Sequence, residues 1–256
     1  MTFEIVTIPC LSDNYAFLAH DSAEGVTLLV DVPEAAPILN VLEDRKWDLT
    51  HVLLTHHHWD HVDGLGDIMD HHSPQVIGAK ADAHRLPPLN LEVAEGDEIK
   101  IGSHTGQVFD ISGHTIGHIA VYFERDAVVF TADSLMALGC GRLFEGNGDM
   151  MWKSMSKLRA LPDDTLVCSG HEYTASNAKF ALSIDPENPE LIERAAKIAA
   201  DRADGRATVP SRLGLEKATN PFLRPDCPRI RAALDLVSAT DAQVFTEIRA
   251  RKDNFK

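Results

Sequence analysis

Residues 53–64 read LLTHHHWDHVDG and place four histidines and an aspartate in six positions directly after an apolar run. At the end of an extended strand, His56 and His58 leave from the same side, whereas His57 points the other way. Two imidazole side chains therefore converge. Because metal ions in proteins are commonly bound by imidazole nitrogens, the spacing predicts that this stretch contributes metal ligands.

Asp60 and His61 follow Trp59 in a turn that can carry a second pair of donors toward the same cavity. A carboxylate beside imidazoles favours a borderline metal ion such as zinc, manganese or iron. A histidine-rich surface loop is the alternative interpretation, but the pattern supplies most of two ligand sets at once, which favours metal binding. The stretch does not complete two tetrahedral sites, so further ligands must lie elsewhere.

Three polar residues downstream each follow an apolar run that reads as a strand. His114 follows GQVFDIS, Asp133 follows AVVFTA, and His171 follows TLVCS. Each has an ordinary alternative role, as a turn histidine, a helix cap and a buried hydrogen-bonded imidazole respectively. A strand end holds a ligand to the tolerance that a metal requires, and we interpret the three as the missing ligands.

Charge and composition limit the partners. The 256 residues carry a net charge of −15, with −17 over residues 1–175 (10 Lys and Arg against 27 Asp and Glu) and +2 over residues 176–256. This charge disfavours nucleic acid as a partner. The apolar runs are too short to cross a bilayer, and the N-terminus has no basic leader. Four scattered cysteines form no CxxC pair, so we expect reduced thiols in a cytoplasmic protein.

The sequence pattern differs between the first and the last part of the chain. Up to about residue 170, β-branched runs predict strands at FEIVTI, YAFLAH, VTLLVD, HVLLT, QVIGA, GQVFDIS, HIAVYF, AVVFTA and TLVCS. Helical spacing occurs at PEAAPILNVLEDR and MMWKSMSKLRAL, and it dominates after residue 172. Asn188 and Thr240 suit helix N-caps. We therefore predict packed sheets covered by helices in residues 1–175 and a helical domain in residues 176–256.

The longer motifs resemble a known family. THHHWDH, GHTIGH, FTADSLMALGCGRLFEG, SGHEYT, NPFLR and the ending RKDNFK look like the hydroxyacylglutathione hydrolases, or glyoxalases II, of the metallo-β-lactamase superfamily. The likeness covers nearly the whole chain. It implies a four-layer αββα metallo-β-lactamase sandwich followed by a C-terminal helical domain that binds glutathione.

The resemblance also implies which residue binds which metal ion. His56, His58 and His114 would bind one divalent ion, and Asp60, His61 and His171 the other. Asp133 would bridge the two ions, and Asp60 and Asp133 would be the catalytic carboxylates. Zinc is the expected metal, with iron or manganese as alternatives.

The same family implies that the glutathione moiety is bound by a further set: Arg142, Phe144, Tyr173, Asn177, Arg249 and Lys252. Phe144 departs from the family pattern, which places a tyrosine two positions after the Lys or Arg of the CGK/R segment. A hydroxyl contact is lost there. We expect the cluster of Arg249, Arg251, Lys252 and Lys256 to present cations to the carboxylates of glutathione.

The implied activity is hydrolysis of a thioester, S-D-lactoylglutathione, to D-lactate and glutathione, the second step of methylglyoxal detoxification. A hydroxide held between the two metal ions would be the nucleophile. The partner is then a small-molecule glutathione thioester, and we expect a monomer. An iron persulfide dioxygenase, a lactonase or β-lactamase, and a non-catalytic metal-stabilised module are the alternatives. Metal content and thioester turnover separate them.

The other histidines receive ordinary roles. His71 and His72 are expected at a helix end, and His118 beside a ligand that it orients. We expect His20, His51, His84 and His104 at the surface or at strand edges, and Trp59 in packing.

Overall fold

The computed structural model describes residues 3–255, and the chain divides into two compact units. The first unit runs to Asp110 and includes Ile116–Thr131. The second consists of Ile111–Thr115 and the chain from Ala132 onward. The units therefore alternate along the sequence, and the domain boundary near residue 175 stays a prediction.

A six-stranded mixed sheet begins the first unit. Its strands, in spatial order, are β1 (Glu4–Cys10), β2 (Asn14–Asp21), β3 (Val26–Val30), β4 (His51–Leu54), β5 (Gln75–Ala79) and β6 (Leu91–Val93). Antiparallel pairing joins β1 to β2 and β2 to β3, whereas β3 to β6 are parallel. The stretch that contains the histidine cluster leaves the carboxyl end of β4, in the interior of this sheet.

Three helices connect the parallel strands: α1 (Ala35–Arg45), α2 (Trp59–Val62) and α3 (Leu65–His71). The spacing of Ile38 and Leu42 puts both on the buried face of α1, within the hydrophobic core that the sheet covers. Leu39 is partly buried against the same core. The predicted helix end at His71 is confirmed, with His72 as the C-cap residue.

A second sheet completes the first unit as an antiparallel meander. Its strands there are β7 (Glu98–Ile101), β8 (His104–Asp110), β9 (Ile119–Phe123) and β10 (Val128–Ala132). Phe17 of β2 lies against Phe130 of β10, with ring centroids 6.0 Å apart. The core of this unit therefore includes side chains from both sheets.

The second unit is mostly helical. It contains the hairpin β11 (Leu135–Met136) and β12 (Gly139–Cys140), the antiparallel pair β13 (Leu166–Ser169) and β14 (Ser211–Arg212), and the helices α4 (Gly148–Arg159), α5 (Thr174–Ile184), α6 (Pro189–Ala203), α7 (Leu213–Thr219), α8 (Pro228–Ala233) and α9 (Asp241–Asp253). The helical texture predicted after residue 172 is confirmed.

Both predicted N-caps are confirmed. The Asn188 side chain accepts a hydrogen bond from the Leu191 amide at the start of α6, and Thr240 forms a capping box with Gln243 at the start of α9. Within residues 3–255, no helix combines the length and apolar character needed to cross a membrane.

Candidate metal centre

The loop that follows β4 carries the first four predicted ligands close together in the first unit. The ring centroids of His56 and His58 are 4.8 Å apart, and those of His56 and His61 are 4.3 Å apart. The Nε2 atom of His61 lies 3.9 Å from Oδ2 of Asp60. His56 and His61 are fully buried. The convergence predicted for His56 and His58 is confirmed.

Asp31 fixes the orientation of two of these histidines. Its Oδ1 accepts the Thr55 amide at 2.9 Å, and its Oδ2 accepts the Thr55 hydroxyl and His61 Nδ1, both at 2.8 Å. Because the Thr55 hydroxyl donates to Asp31, it accepts from His56 Nδ1, which lies 3.0 Å away. Nδ1 therefore carries the proton in both imidazoles, and Nε2 carries the lone pair that can bind a metal ion.

Two further side chains hold the loop, one on each side. Asn14 donates from Nδ2 to the Asp60 carboxylate at 3.1 Å and to its carbonyl at 3.0 Å. His57 turns to the other side, as predicted, where its Nδ1 lies 2.9 Å from the buried carboxylate of Asp82. Asp82 also pairs with Arg85. The loop is thus held by contacts to other parts of the first unit.

The second unit brings together the remaining predicted ligands. Oδ2 of Asp133 lies 3.5 Å from Nε2 of His114 and 3.3 Å from Nε2 of His171. All three side chains are buried. Asp133 directly follows β10, and a hydrogen bond from the Gly170 amide to the Ala132 carbonyl, 3.0 Å long, joins the chain before Asp133 to the chain before His171. Strand ends therefore position two of the three donors.

His114 is oriented by the backbone. Its Nδ1 donates to the carbonyl of Arg142 at 2.7 Å, so its Nε2 also carries the lone pair. The Phe144 ring lies edge-on to the His114 ring, with centroids 5.3 Å apart. Tyr173 stacks on His171 at 4.7 Å with an interplanar angle of 6°. Both aromatic rings are substantially exposed. They border the two imidazoles and offer apolar surface to a ligand.

The cations expected to meet glutathione differ in exposure. Arg142 is exposed and lies 3.5 Å from Asp253, whereas Arg249 is only 6% exposed. Arg249 donates to the Cys140 carbonyl at 2.7 Å and to Asp253 at 2.9 Å. Arg249 is thus turned into the protein interior by α9, and its role in binding glutathione stays a prediction.

Lys252 is better placed to meet a ligand than Arg249. Its Nζ lies 3.2 Å from the Ser176 hydroxyl and 5.4 Å from the centre of the Phe180 ring. Burial, with a smaller contribution from Arg249, lowers the pKa of Lys252. Arg251 is exposed and pairs with Glu247. Lys256, the last cation of the predicted cluster, lies outside the described residues.

The Asn177 side chain is buried and donates to the Ala137 carbonyl at 3.0 Å. The structure therefore gives it a contact with the hairpin β11–β12 rather than an exposed position. Its role in binding glutathione stays a prediction.

Some ordinary roles assigned from sequence were wrong. His20 is buried, bonded to Thr27 and stacked on Trp47, and His104 is fully buried between Asp21 and Asp126. Trp59 was expected in packing and is 64% exposed.

His118 lies where a residue that orients a ligand would be expected. Its ring stacks on His56 with centroids 4.5 Å apart. His51, expected at the surface or at a strand edge, is half-buried at the start of β4. Its burial lowers its pKa. His84 is exposed, as predicted.

Family models match nearly the whole chain. The model described as the metallo-beta-lactamase superfamily matches residues 20–171, and the one described as the hydroxyacylglutathione hydrolase C-terminus matches residues 172–255. The hydroxyacylglutathione hydrolase of Ruegeria pomeroyi is 64% identical over 255 residues, which cover 100% of each chain. The chain belongs to the hydroxyacylglutathione hydrolase family. The resemblance found in the sequence motifs is thereby confirmed.

Solved structures agree on the fold of this hydroxyacylglutathione hydrolase family member. ETHE1 from Myxococcus xanthus matches with a TM-score of 0.66 and 25% identity, covering 98% of this chain and 90% of that one. The BLEG-1 B3 metallo-beta-lactamase matches with a TM-score of 0.68 and 21% identity, covering 86% of this chain and 100% of that one. The predicted metallo-β-lactamase fold with a C-terminal helical segment is confirmed. The superfamily implies a site for two metal ions.

Apart from His118, sequence reasoning missed the residues that hold the donors and the loop that carries them. Asp31 had a usable signal, because it ends the apolar run VTLLV as Asp133 ends AVVFTA. Asn14 and Asp82 have no comparable signal, since their partners lie 46 and 25 residues away along the chain.

Proposed function

We propose that the protein hydrolyses S-(2-hydroxyacyl)glutathione thioesters, including S-D-lactoylglutathione, to a 2-hydroxy acid and glutathione. The observation that carries this proposal is the set of full-length relatives, 52–64% identical, that bear the name hydroxyacylglutathione hydrolase. An identity of this size extends over both family-model regions. The donor side chains and the cations near the C-terminus support it further.

The proposed ligand sets are those that the family resemblance implies. His56, His58 and His114 would hold one divalent ion. Asp60, His61 and His171 would hold the other. Asp133 would contribute to both. The donor chemistry fits, because hydrogen bonds to Nδ1 leave the lone pair of His56, His61 and His114 on Nε2. Imidazole and carboxylate donors without thiolate suit zinc, which we propose as the metal, and also iron or manganese.

Bound ions would lower the pKa of water to about 7 and polarise the thioester carbonyl. The chain's own contribution is to hold the donors before substrate arrives. Asp31 and Thr55 fix two imidazoles, and the Arg142 carbonyl fixes His114. A carboxylate at Asp133 carries the negative charge that two cations in one site require.

Substrate recognition would use the residues around that centre. The rings of Tyr173 and Phe144 border His171 and His114 and would offer apolar surface to the substrate. Arg142 and Lys252 would bind the carboxylates of glutathione. A thiol has a reference pKa of about 8.5, so the glutathione thiolate leaves without a strong general acid. The chain therefore needs to position the thioester more than to protonate the leaving group.

One experiment separates this activity from the alternatives. Purified protein is analysed for zinc, iron and manganese, and the same sample is assayed with S-D-lactoylglutathione, a glutathione-free thioester, a lactone and a β-lactam. We expect about two metal ions per chain in total and a clear preference for the glutathione thioester. Full activity with a single metal ion would overturn the two-metal site. Preferential turnover of the lactone or β-lactam would overturn the substrate.

We further propose that the enzyme acts as a monomer in the cytoplasm. All four cysteines are free thiols, and three of them are buried. This pattern agrees with a reducing compartment. Sedimentation at working concentration tests the monomeric state, and fractionation of the source cells tests the cytoplasmic location.

A further inference from the structure

Side chains of the C-terminal segment hold the hairpin formed by β11 and β12. Every residue from Met136 to Cys140 has a backbone group in such a contact. Asn220 Nδ2 donates to the carbonyls of Met136 (3.1 Å) and Gly139 (3.0 Å). Asn177 donates to the carbonyl of Ala137 (3.0 Å), and Arg249 donates to that of Cys140 (2.7 Å). Glu216 accepts a hydrogen bond from the amide of Leu138 (2.9 Å). Side chains of α5, α7, α9 and the turn after α7 thus fix one hairpin.

Asn220 and Glu216 are the buried centre of this arrangement, and both are 0% exposed. Asn220 Nδ2 lies 3.2 Å from Glu216 Oε2, and its Oδ1 accepts the Phe222 amide at 3.0 Å. Glu216 is paired with Arg194 and accepts the Ser211 hydroxyl at 2.6 Å. A buried polar network with its members satisfied is rigid. The hairpin is therefore held by a fixed group of side chains.

The hairpin follows Asp133 closely in the chain and precedes the segment that contacts His114. Gly141 follows β12, and its amide donates to the Ser134 carbonyl at 3.0 Å. A Cβ atom at Gly141 would lie 1.9 Å from the Asp133 carbonyl oxygen and 2.9 Å from Nδ1 of His114. The next residue, Arg142, supplies the carbonyl that accepts from His114 Nδ1. A displacement of the hairpin would therefore move the backbone at Asp133 and the acceptor of His114.

We propose that Asn220, supported by Glu216, is a positioning residue for the proposed ligands Asp133 and His114. This inference rests on the proposed metal-dependent function. The C-terminal segment then serves the reaction in a second way besides binding glutathione, because it fixes the hairpin that joins Asp133 to the segment in contact with His114. Residues that orient metal ligands typically change metal affinity or activity by about 10- to 100-fold when they are replaced.

Asn220→Ala tests the proposal, and Asn188→Ala is its matched control. Both asparagines are buried, both donate from Nδ2 to a carbonyl, and both accept a backbone amide at the start of a helical turn. Asn188 donates to the Ala218 carbonyl of α7 rather than to the hairpin. Each variant is loaded with zinc, and three quantities are measured: the melting temperature, the rate of zinc release to a chelator, and kcat and KM for S-D-lactoylglutathione.

We expect similar losses of melting temperature in the two variants. Only Asn220→Ala should release zinc about tenfold faster and lose about tenfold in kcat, with KM within about twofold of the wild type. Equal zinc release and equal kcat in the two variants would overturn the inference.

If Asn220→Ala does not fold, Asn220→Ser keeps an oxygen that can accept the Phe222 amide and removes the amide donor to the hairpin, without placing a second carboxylate beside Glu216. The same effects on zinc and kcat are expected, and their absence overturns the inference. A wild-type protein that neither holds zinc nor hydrolyses the thioester would overturn the proposed function itself, and this inference with it.

Discussion

Asp133 is the single residue on which the proposed two-ion site depends most. Asp133→Asn keeps the side-chain shape but removes the charge beside His114 and His171. We expect kcat to fall by orders of magnitude and metal content to fall, while circular dichroism stays that of the wild type. Asp149→Asn, the same change at an exposed residue of α4, should alter neither quantity. Unchanged metal content in Asp133→Asn would contradict the ligand assignment.

His57 is expected to stabilise the fold rather than to bind metal. His57→Ala removes one of the two side chains that bond the buried Asp82 carboxylate, the other being Arg85, and the loss of this charge-assisted hydrogen bond costs about 1–3 kcal/mol of the free energy of unfolding. Urea unfolding should show this loss, and metal analysis should show a full complement. His84→Ala, at an exposed position, is the control and should be neutral. Loss of metal in His57→Ala, with retention in His58→Ala, would reverse the assignment of the two side chains.

Donors could be predicted from sequence more readily than the residues that orient them. The histidine cluster and the strand-end positions of Asp133 and His171 are local features. His104 shows the limit, since its two carboxylate partners lie 83 and 22 residues away along the chain. Its burial depends on the pairing of distant elements, which no local pattern records. For that reason it was expected at the surface or at a strand edge.

At the scale of elements, the segment after β12 should tolerate no side chain at Gly141. Gly141→Ala would put a methyl group against the Asp133 carbonyl and the His114 ring. We expect a large loss of zinc affinity and of kcat/KM, measured by competition with a chelator and by steady-state assay. Gly66→Ala is the control, because no atom beyond its chain neighbours and the backbone of its own helix α3 lies within 4 Å of the added Cβ. A Gly141→Ala protein with wild-type zinc affinity would show that the segment is free to move.

The two sheets of the first unit are joined by a pH-sensitive contact. His104 of β8 lies 2.9 Å from Asp21 of β2, and this hydrogen bond lowers the pKa of Asp21 from its usual 3.8. Because the pKa of Asp21 is lower in the folded than in the unfolded chain, the ionised carboxylate stabilises the fold above about pH 4. This stabilisation is lost as the pH falls through the lowered pKa. The melting temperature should therefore fall from about pH 5 to about pH 3. His104→Gln should start lower and fall less steeply, and parallel curves would contradict this role.

Strands with strong β-branched character could be predicted, and all nine of them occur. β6, β7, β11, β12 and β14 were missed, since each is only two to four residues long. The division into compact units was also beyond local reasoning. Ile111–Thr115 belongs with the part of the chain that begins at Ala132. The units are therefore defined by contacts between distant residues, which a local sequence pattern does not record.

Over the whole molecule, a net charge of −15 makes each cation near the proposed site important for an anionic substrate. Lys252→Ala should raise KM for S-D-lactoylglutathione several-fold with kcat less affected, because a remote contact acts equally on ground and transition states. Since burial lowers the pKa of Lys252, its charge should be lost at a lower pH than that of an ordinary lysine.

Lys197→Ala removes the same charge from an exposed position of α6 and serves as the control. We expect its KM to match the wild type. An equal rise in both variants would assign the effect to general charge. No rise in Lys252→Ala would move recognition to Arg142 and Tyr173.

The exposure of Trp59 gives the molecule an optical reporter of its own. Trp59 stands between His58 and Asp60 in the sequence, whereas Trp47 stacks on His20 and Trp152 lies against Phe245. An indole in water fluoresces at longer wavelength than one surrounded by protein. The red edge of the emission spectrum therefore belongs mainly to Trp59, and changes beside the histidine cluster can be followed there without an added dye.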